Sequence, residues 1–125
     1  MCTLLMTSTP QIAVVGGGPA GLAAAIEGVR AGLTAHLYDE RPTLGGPTYG
    51  HAAKSTLLAE LDAAGSRVVL HHRAMVWGIF GQRTLAVWEK DRAESVQPEV
   101  LVLAAGAHVT PVPIHVLVTL PDEQT

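Results

Sequence analysis

The chain has 125 residues, a formal net charge of −3 and one cysteine. This length is enough for a single hydrophobic core, and a composition of 48% hydrophobic and 15% charged residues excludes intrinsic disorder. The acidic balance leaves no basic patch for a nucleic acid, and a lone cysteine excludes an internal disulfide. Residues 11–26 are uncharged but interrupted by four glycines and a proline, so no membrane span is predicted. Residues 1–10 contain no Lys or Arg, which argues against a secretory signal and predicts a cytoplasmic protein.

The predicted elements begin with a strand, a glycine turn, a helix and a second strand. Residues 11–15 form a compact apolar run that stops at three consecutive glycines, as a buried strand does. Residues 19–31 carry apolar side chains at helical spacing, with Pro19 tolerated in the first turn and Gly32 at the C-cap. Residues 33–38 then predict the second strand.

The rest of the chain predicts one more helix among further strands. The elements expected after a proline- and glycine-containing loop at 41–50 are a helix at 54–64, a strand at 67–71, two antiparallel strands at 74–80 and 84–89, a polar connection at 90–98 and a buried strand at 100–103. The small and branched apolar residues are typical of a parallel sheet covered by helices on both faces. The predicted fold class is therefore α/β.

A glycine-rich motif joins the first strand to the first helix. Gly16, Gly18 and Gly21 form the pattern G-x-G-x-x-G inside one strand–turn–helix–strand unit, which is typical of dinucleotide-binding domains. The first glycine allows a tight turn, the second lets the backbone approach a pyrophosphate, and the third lets the helix pack close to the strand. The pyrophosphate is expected at the helix N-terminus, where free N–H groups and the macrodipole favour negative charge.

An acidic residue ends the second strand. Asp39 follows Gly21 at close to the separation of about twenty residues that is expected for the carboxylate that binds a ribose. A carboxylate at this position also repels a 2′-phosphate, which disfavours NADP. Glu40 is adjacent, and a shift of one residue in the strand would exchange the two roles, so both remain candidates, with Asp39 favoured.

The chain resembles the FAD-binding start of flavoproteins that contain two dinucleotide-binding domains. The stretch that carries this resemblance is VVGGGPAGLAAAIEGVRAGLTAHLYDERPTLGG, and it is most similar to the group of opine oxidase, hydrogen cyanide synthase and related amino-acid dehydrogenases. Three features favour FAD over NAD: the double glycine at 45–46, the VWGIF-like strand at 74–80 and the LVLAAGA strand at 101–107. The resemblance implies a Rossmann-like FAD-binding domain at 11–114 with a small antiparallel section, between a leader at 1–10 and a divergent tail at 115–125.

The resemblance also implies a role for each residue of the candidate site. The residues that would hold the pyrophosphate lie in the glycine turn: Gly16, Gly18, Pro19, Ala20 and Gly21. Asp39 or Glu40 would bind the adenosine ribose, and Gly45 and Gly46 would lie on the phosphate side. The backbone of Met75 or Val76 would contact the adenine, and Gly106 would lie near the cofactor. The resemblance implies neither a catalytic residue nor a metal site.

The chain departs from the family pattern in ways that bear on function. Pro47 follows the double glycine where the family has Gln, and Ala105 stands where Thr is usual. Family members are several times longer and contain a second nucleotide site. The resemblance therefore implies a truncated FAD-binding portion of a flavin-dependent oxidoreductase, not catalytically complete alone, that works with a second subunit supplying the substrate site. A non-catalytic FAD- or ADP-binding module is the alternative, and a bare NAD-binding domain is a weaker one.

Several other residues predict no functional site. His71 and His72 are adjacent on a strand and point to opposite faces, so they are not expected to share a metal ion. The remaining interpretations are structural: His36 is a residue of the sheet, Trp77 and Trp88 are packing residues, and residues 89–94 are solvated surface.

Overall fold

The computed structural model describes residues 10–45 and 51–106, which form an α/β fold with two sheets and two helices. The elements, in chain order, are β1 (Ile12–Val15), α1 (Pro19–Arg30), β2 (Ala35–Asp39), α2 (His51–Ala64), β3 (Val68–His72), β4 (Met75–Phe80), β5 (Thr84–Glu89), β6 (Arg92–Val96) and β7 (Val100–Leu103). A 3-10 turn at Gly65–Arg67 joins α2 to β3. The α/β class predicted from the sequence is confirmed.

Four strands form a parallel sheet in the order β3-β2-β1-β7. The central strand β1 is buried, and its Val14 pairs with Leu37 of β2 and Val102 of β7. From β1 the chain moves to β2 on one side, whereas β7 returns on the other side. This arrangement is a topological switch point, and the crevice beyond the carboxyl ends of such strands is where ligands bind in open α/β sheets.

The two helices cover one face of the parallel sheet. Alternate residues of the strands point to this face, as the two-residue period of a strand requires. The buried side chains of this layer are those of Ile12, Val14, Leu22, Ala25, Ile26, Ala35, Leu37, Leu61 and Val68. An exposed ion pair between Arg30 and Glu60, at 2.6 Å, joins α1 to α2, and a pair this exposed contributes little to stability.

A three-stranded antiparallel sheet, in the order β4-β5-β6, covers the other face. Leu85 and Val87 of β5 are fully buried against Ala13 and Tyr38 of the parallel sheet. The expectation of helices on both faces is therefore wrong for the described residues. The residues of the parallel sheet that face β5 form a second, smaller core. The antiparallel sheet β4-β5-β6 covers this core in place of a helix.

The polar connection predicted at 90–98 contains a strand, β6. β5 and β6 are joined by Lys90 and Asp91, which have φ values of 52° and 58°. A tight hairpin turn needs two such residues, and the sequence signal for it is normally Asn-Gly or Asp-Gly. Because Lys-Asp carries no such signal, the hairpin was not predictable from its turn residues.

The remaining element predictions agree with the structure to within a few residues. Helix α2 begins at His51 rather than at residue 54, and β2 and β3 each end one residue later than predicted. The predicted leader at 1–10 and tail at 115–125 fall almost entirely outside the described residues. Those boundaries therefore stay predictions.

Candidate dinucleotide-binding site

A cleft of about 170 Å³ lies at the carboxyl ends of the central strands. The residues that line it come from β1, β2, β4 and the segments that follow β1, β2, β3 and β7: Val15, Gly16, Tyr38, Asp39, Glu40, Ala74, Val76 and Ala105. The switch point between β1 and β7 places the glycine turn at one wall of this cleft. The cleft therefore brings Gly16 of the glycine turn, the acidic pair Asp39 and Glu40, and Val76 of β4 together.

Gly16 and Gly21 are explained by packing within the protein. Gly16 has a φ of +113°, which L side chains rarely adopt, and a Cβ there would overlap the carbonyl oxygen of Ala104. A Cβ on Gly21 would overlap the carbonyl oxygen of Gly16, so glycine at 21 is what lets α1 start so close to β1. The amide of Gly16 donates to the carbonyl of Tyr38 at 2.8 Å, which joins the turn to β2.

Gly18 is different, because no protein atom lies within 4 Å of the position that its Cβ would occupy. Its φ of −79° and ψ of −172° are accessible to any residue. Gly18 is the N-cap of α1, Pro19 and Ala20 follow it in exposed positions, and the first turn contains no acidic residue. The helix N-terminus therefore faces open space with first-turn N–H groups that have no acceptor inside the helix.

Asp39 is the last residue of β2 and is half-buried. Its Oδ2 lies 2.5 Å from the position of a Cβ built on Gly17, so the carboxylate lies directly against the glycine turn. Its Oδ1 accepts a long hydrogen bond of 3.4 Å from the amide of Arg41. Glu40 lines the same cleft but is exposed.

Backbone hydrogen bonds hold the segment after β2 in place. The amide of Gly45 donates to the carbonyl of Gly17 at 2.7 Å, and Gly45 is buried with a φ of +101°. The amide of Ala74 donates to the carbonyl of Asp39 at 2.9 Å, which joins the start of β4 to the end of β2. Gly45 therefore contacts the turn directly, whereas Gly46 lies outside the described residues.

The far side of the cleft is formed by Val76 and by the segment after β7. Val76 lies on β4, is half-buried and lines the cleft, whereas Met75 beside it is exposed. The amide of Ala104 donates to the carbonyl of Val15 at 2.8 Å, which continues the parallel pairing beyond β7. Gly106, with a φ of +78°, is exposed and has no atom within 4 Å of a built Cβ.

A cluster of polar side chains beside the cleft was not predicted as a site. His36 Nδ1 lies 2.9 Å from His71 Nε2, and His71 Nδ1 lies 2.8 Å from Glu89 Oε1. The ring of Tyr38, which lines the cleft, stacks on that of His71 with centroids 4.3 Å apart and planes 10° apart. We call these four residues the histidine cluster.

The interior position of the histidine cluster shifts two of its pKa values. Burial lowers the pKa of His36, the neighbouring His71 lowers it further, and Glu89 opposes both effects. Burial also raises the pKa of Tyr38, with Glu89 and Glu94 adding to the shift, so the phenol keeps its proton. The interpretation of 89–94 as solvated surface is therefore wrong at Glu89, whose side chain is only 13% exposed. The sequence gives no signal for this contact, because it joins residues from different sheets.

The two tryptophans do not pack in a core, which corrects the prediction made for them. Trp77 is 57% exposed and Trp88 is 45% exposed, and both lie on the antiparallel sheet. Trp77 contacts the exposed ring of Phe80 edge-on, with centroids 5.8 Å apart. Each alternates with less exposed neighbours along its strand, which turns it outward, away from the parallel sheet.

A larger cavity, of about 510 Å³, lies between α2 and the edge strand β3. Its lining is mostly apolar, with Leu58, Leu61 and Leu70 among the residues, and Asp62 is its one ionisable residue. The smaller cleft carries the glycine turn and two carboxylates, so we place the candidate site there. Within the described residues, no group of three His, Cys, Asp or Glu side chains could hold a metal ion. No helix in this part of the chain has the length and hydropathy needed to cross a bilayer.

The sequence pattern of the pyridine nucleotide-disulphide oxidoreductase family matches residues 10–122. Two similar curated proteins are the HcnB subunit of hydrogen cyanide synthase from Pseudomonas aeruginosa and one of the subunits of opine oxidase from Agrobacterium tumefaciens. The chain is 34% identical to the first over 116 residues and 30% identical to the second over 127 residues. These alignments cover 80% and 83% of the chain but 25% of each relative, so the chain spans about a quarter of their length.

Solved structures share the same fold. L-proline dehydrogenase from P. horikoshii matches with a TM-score of 0.71 and 23% identity, covering 84% of this chain and 24% of that one. A thioredoxin reductase from Gloeobacter violaceus matches with a TM-score of 0.62 and 23% identity, covering 89% of this chain and 39% of that one. At these identities the matches establish a common fold.

Proposed function

The chain belongs to the pyridine nucleotide-disulphide oxidoreductase family, and we propose that it binds the ADP half of FAD as the cofactor-binding portion of a flavin-dependent oxidoreductase. The observation that carries this proposal is the open space at Gly18. Gly16 and Gly21 are required by the fold, but nothing in the described protein requires glycine at 18. A bound group that approaches the backbone closely would require it, and the adjacent helix N-terminus favours an anionic one.

The residues around the cleft fit the two parts of an ADP moiety. The N–H groups at the start of α1, near Ala20 and Gly21, would donate to the pyrophosphate, with Gly45 beside them. The Asp39 carboxylate, which lies against the glycine turn, would accept hydrogen bonds from the adenosine ribose. Glu40 is the alternative, and its exposure makes it the weaker one. The apolar wall at Val76 would contact the adenine, and Gly106 would lie toward the flavin side.

Bound FAD supplies the electron-transfer chemistry, and the protein supplies binding, orientation and electrostatics. The residues described here hold the nucleotide part, and we assign none of them as a catalytic acid or base. By analogy with opine oxidase, the substrate would be an opine or a related amino-acid derivative. A cytoplasmic location is part of the same proposal.

A second protein chain is also part of the proposal. The curated relatives are named as subunits of their enzymes. The outer face of the antiparallel sheet exposes Trp77, Phe80 and Trp88, together with Met75, at 45–57% of their surface. Trp77 contacts Phe80, and Met75 pairs with Trp88 across the strands. Exposed apolar side chains grouped in this way are typical of a surface that contacts another domain or subunit. This supports a second subunit, or a further part of a longer chain, that completes the substrate site.

The test is a titration of the purified chain with FAD, NAD and NADP. Calorimetry measures the binding of all three, and flavin fluorescence also measures the binding of FAD. We expect FAD to bind, NAD to bind more weakly, and NADP most weakly because Asp39 repels its 2′-phosphate. A chain that binds NAD and not FAD would make the cofactor assignment wrong. A chain that binds none of the three would contradict the function.

Variants at Gly18 separate ligand binding from folding. In Gly18→Ala the added Cβ meets no protein atom. Stability should therefore be retained or rise by about 0.4–1 kcal/mol, because the unfolded chain loses freedom. The affinity for FAD should nevertheless fall by about tenfold or more, equivalent to about 1.4 kcal/mol, and Gly18→Val should abolish binding. Ala23→Val, on the exposed side of α1, is the control and should bind as the unmodified chain does. Normal FAD binding by Gly18→Val would refute the site.

A further inference from the structure

The histidine cluster contains a hydrogen-bonded chain whose proton positions follow from its ends. A carboxylate only accepts hydrogen bonds. His71 Nδ1 therefore carries a proton and donates a hydrogen bond to Glu89 Oε1 over 2.8 Å. In neutral His71 the other ring nitrogen, Nε2, is then an acceptor. His36 Nδ1 must therefore carry the proton that spans the 2.9 Å between the two rings.

This chain of bonds joins the two sheets at the cleft. His36 and His71 lie on neighbouring strands of the parallel sheet, whereas Glu89 ends β5 of the antiparallel sheet. The side chains of His71 and Glu89 are 18% and 13% exposed, so the contact is largely shielded from water. The antiparallel sheet is also held here by apolar contacts and by two backbone hydrogen bonds, from the amide of Ala74 to the carbonyl of Asp39 and from the amide of Arg73 to the carbonyl of Arg41.

The same geometry limits how many protons the chain of bonds can hold. One added proton is accommodated, because His71 can donate from both nitrogens if His36 Nδ1 becomes the acceptor. With a second added proton, both facing nitrogens would carry hydrogen at 2.9 Å, and two positive rings would adjoin. That state breaks the bond between the rings, since neither nitrogen can accept.

We propose that His36, His71 and Glu89 are positioning residues that hold the antiparallel sheet over the nucleotide cleft and release it when both imidazoles are protonated. The proposal rests on the proposed function, because it concerns the regulation of the same FAD site. Release affects the cleft through two direct connections. Tyr38 stacks on His71 and lines the cleft, and Ala74, three residues after His71, lines it as well.

Titratable and charged groups on β2 and β6 also lie near the histidine cluster. Tyr38 on β2 stays protonated because burial raises its pKa. Glu94 on β6 adds negative charge, and the guanidinium of Arg92, the cross-strand neighbour of Glu89, lies 3.4 Å from Glu94. Burial and the adjacent His71 lower the pKa of His36, in agreement with a second proton that binds only in acid.

The test measures FAD affinity of the full chain between pH 8 and pH 5, together with the tautomer and titration of each histidine by ¹⁵N NMR. The affinity should fall below pH 6.5, by up to about tenfold per pH unit, the limit for one linked proton. In His36→Gln, which keeps a donor but does not titrate, the affinity should no longer depend on pH in this range. In Glu89→Gln the fall in FAD affinity should begin at higher pH. Without the negative charge of Glu89, even the first added proton is no longer accommodated while the sheet is held in place. His72→Gln, exposed on the opposite face of β3, is the matched control.

These outcomes distinguish the inference from the proposed function. An equal decline in the unmodified chain and in His36→Gln would overturn the inference, as would NMR showing both rings titrating independently. Circular dichroism at pH 8 identifies a variant that does not fold, and the second variant then decides. If the chain does not bind FAD even at pH 8, the proposed function fails. The NMR titration, which needs no FAD, would still support the proton-limited chain of bonds if the rings titrate in two coupled steps, or exclude it if they do not.

Discussion

Gly16 and Gly18 lie two positions apart in one turn and are glycine for different physical reasons. At Gly16 the backbone has a positive φ and approaches the carbonyl of Ala104, so any side chain would strain the turn itself. At Gly18 the conformation is ordinary and the space is open. A substitution at 16 therefore acts on folding, whereas one at 18 acts on whatever occupies that space.

The two acidic residues of the cleft can be separated by substitution. Asp39→Ala should weaken FAD binding by about 1–3 kcal/mol, the range for losing hydrogen bonds to a charged group. Glu40→Ala should change the affinity by less than about 0.5 kcal/mol, because Glu40 is exposed. Titration with FAD at constant salt measures both. A loss in Glu40→Ala alone would exchange the roles of the two residues.

The parts of the candidate site that the sequence predicts are those set by local spacing. The glycine turn and Asp39 belong to one βαβ unit, so their separation along the chain fixes their proximity in space. Ala74 was missed as a cleft residue because its position depends on how β4 returns over the parallel sheet. Tyr38 lies in the βαβ unit, but the sequence does not show that the antiparallel sheet buries it beside the cleft. Glu89 was misjudged for the same reason, since its contact with His71 joins residues 18 positions apart across the two sheets.

At the scale of elements, the antiparallel sheet depends on few buried side chains. Leu85 and Val87 are its fully buried residues, and their partners on the parallel sheet include the small residue Ala13. Leu85→Ala should lower the free energy of unfolding by about 2–5 kcal/mol, because it removes buried apolar contacts and leaves a cavity in the core. Denaturant unfolding measures the effect.

Ile79→Ala is the control for Leu85, because Ile79 is the cross-strand partner of Leu85 and is 44% exposed. It should cost about 1 kcal/mol or less, since surface substitutions have small effects. Equal losses in the two variants would mean that the antiparallel sheet does not pack on the parallel sheet through β5.

The sequence predicted helices and strands correctly where a hydrophobic pattern was bounded by turn residues such as glycine or proline. The limits of β5 and β7 agree with the structure, because each is an apolar run between turn residues. Strand β6 was missed because its sequence is polar and its turn, Lys90-Asp91, lacks glycine. Polar strands are stabilised by a neighbour rather than by their own composition, and here the neighbour is β5.

For the whole molecule, the two sheets share a single boundary, and the cleft and the histidine cluster both lie along it. Tyr38 is the residue common to them: it is buried in the second core, lines the cleft and stacks on His71. Stability of the fold and geometry of the cleft are therefore linked through the same contacts. A change in protonation at this boundary should be measurable in the chain without any ligand.

The stability of the unliganded chain should fall as the pH is lowered below 6.5. The folded protein lowers the pKa of His36, so between the folded and unfolded pKa values the unfolded chain binds more protons. The contribution of His36 to stability is thus fully present above the pKa that His36 has in the unfolded chain. It is lost as the pH falls through the lower pKa that His36 has in the folded chain. The slope for one proton is at most about 1.4 kcal/mol per pH unit. Urea unfolding at pH 8 to pH 5 should show a shallower slope in His36→Gln and the full slope in His72→Gln. Identical slopes in the two variants would show that His36 is not the group responsible.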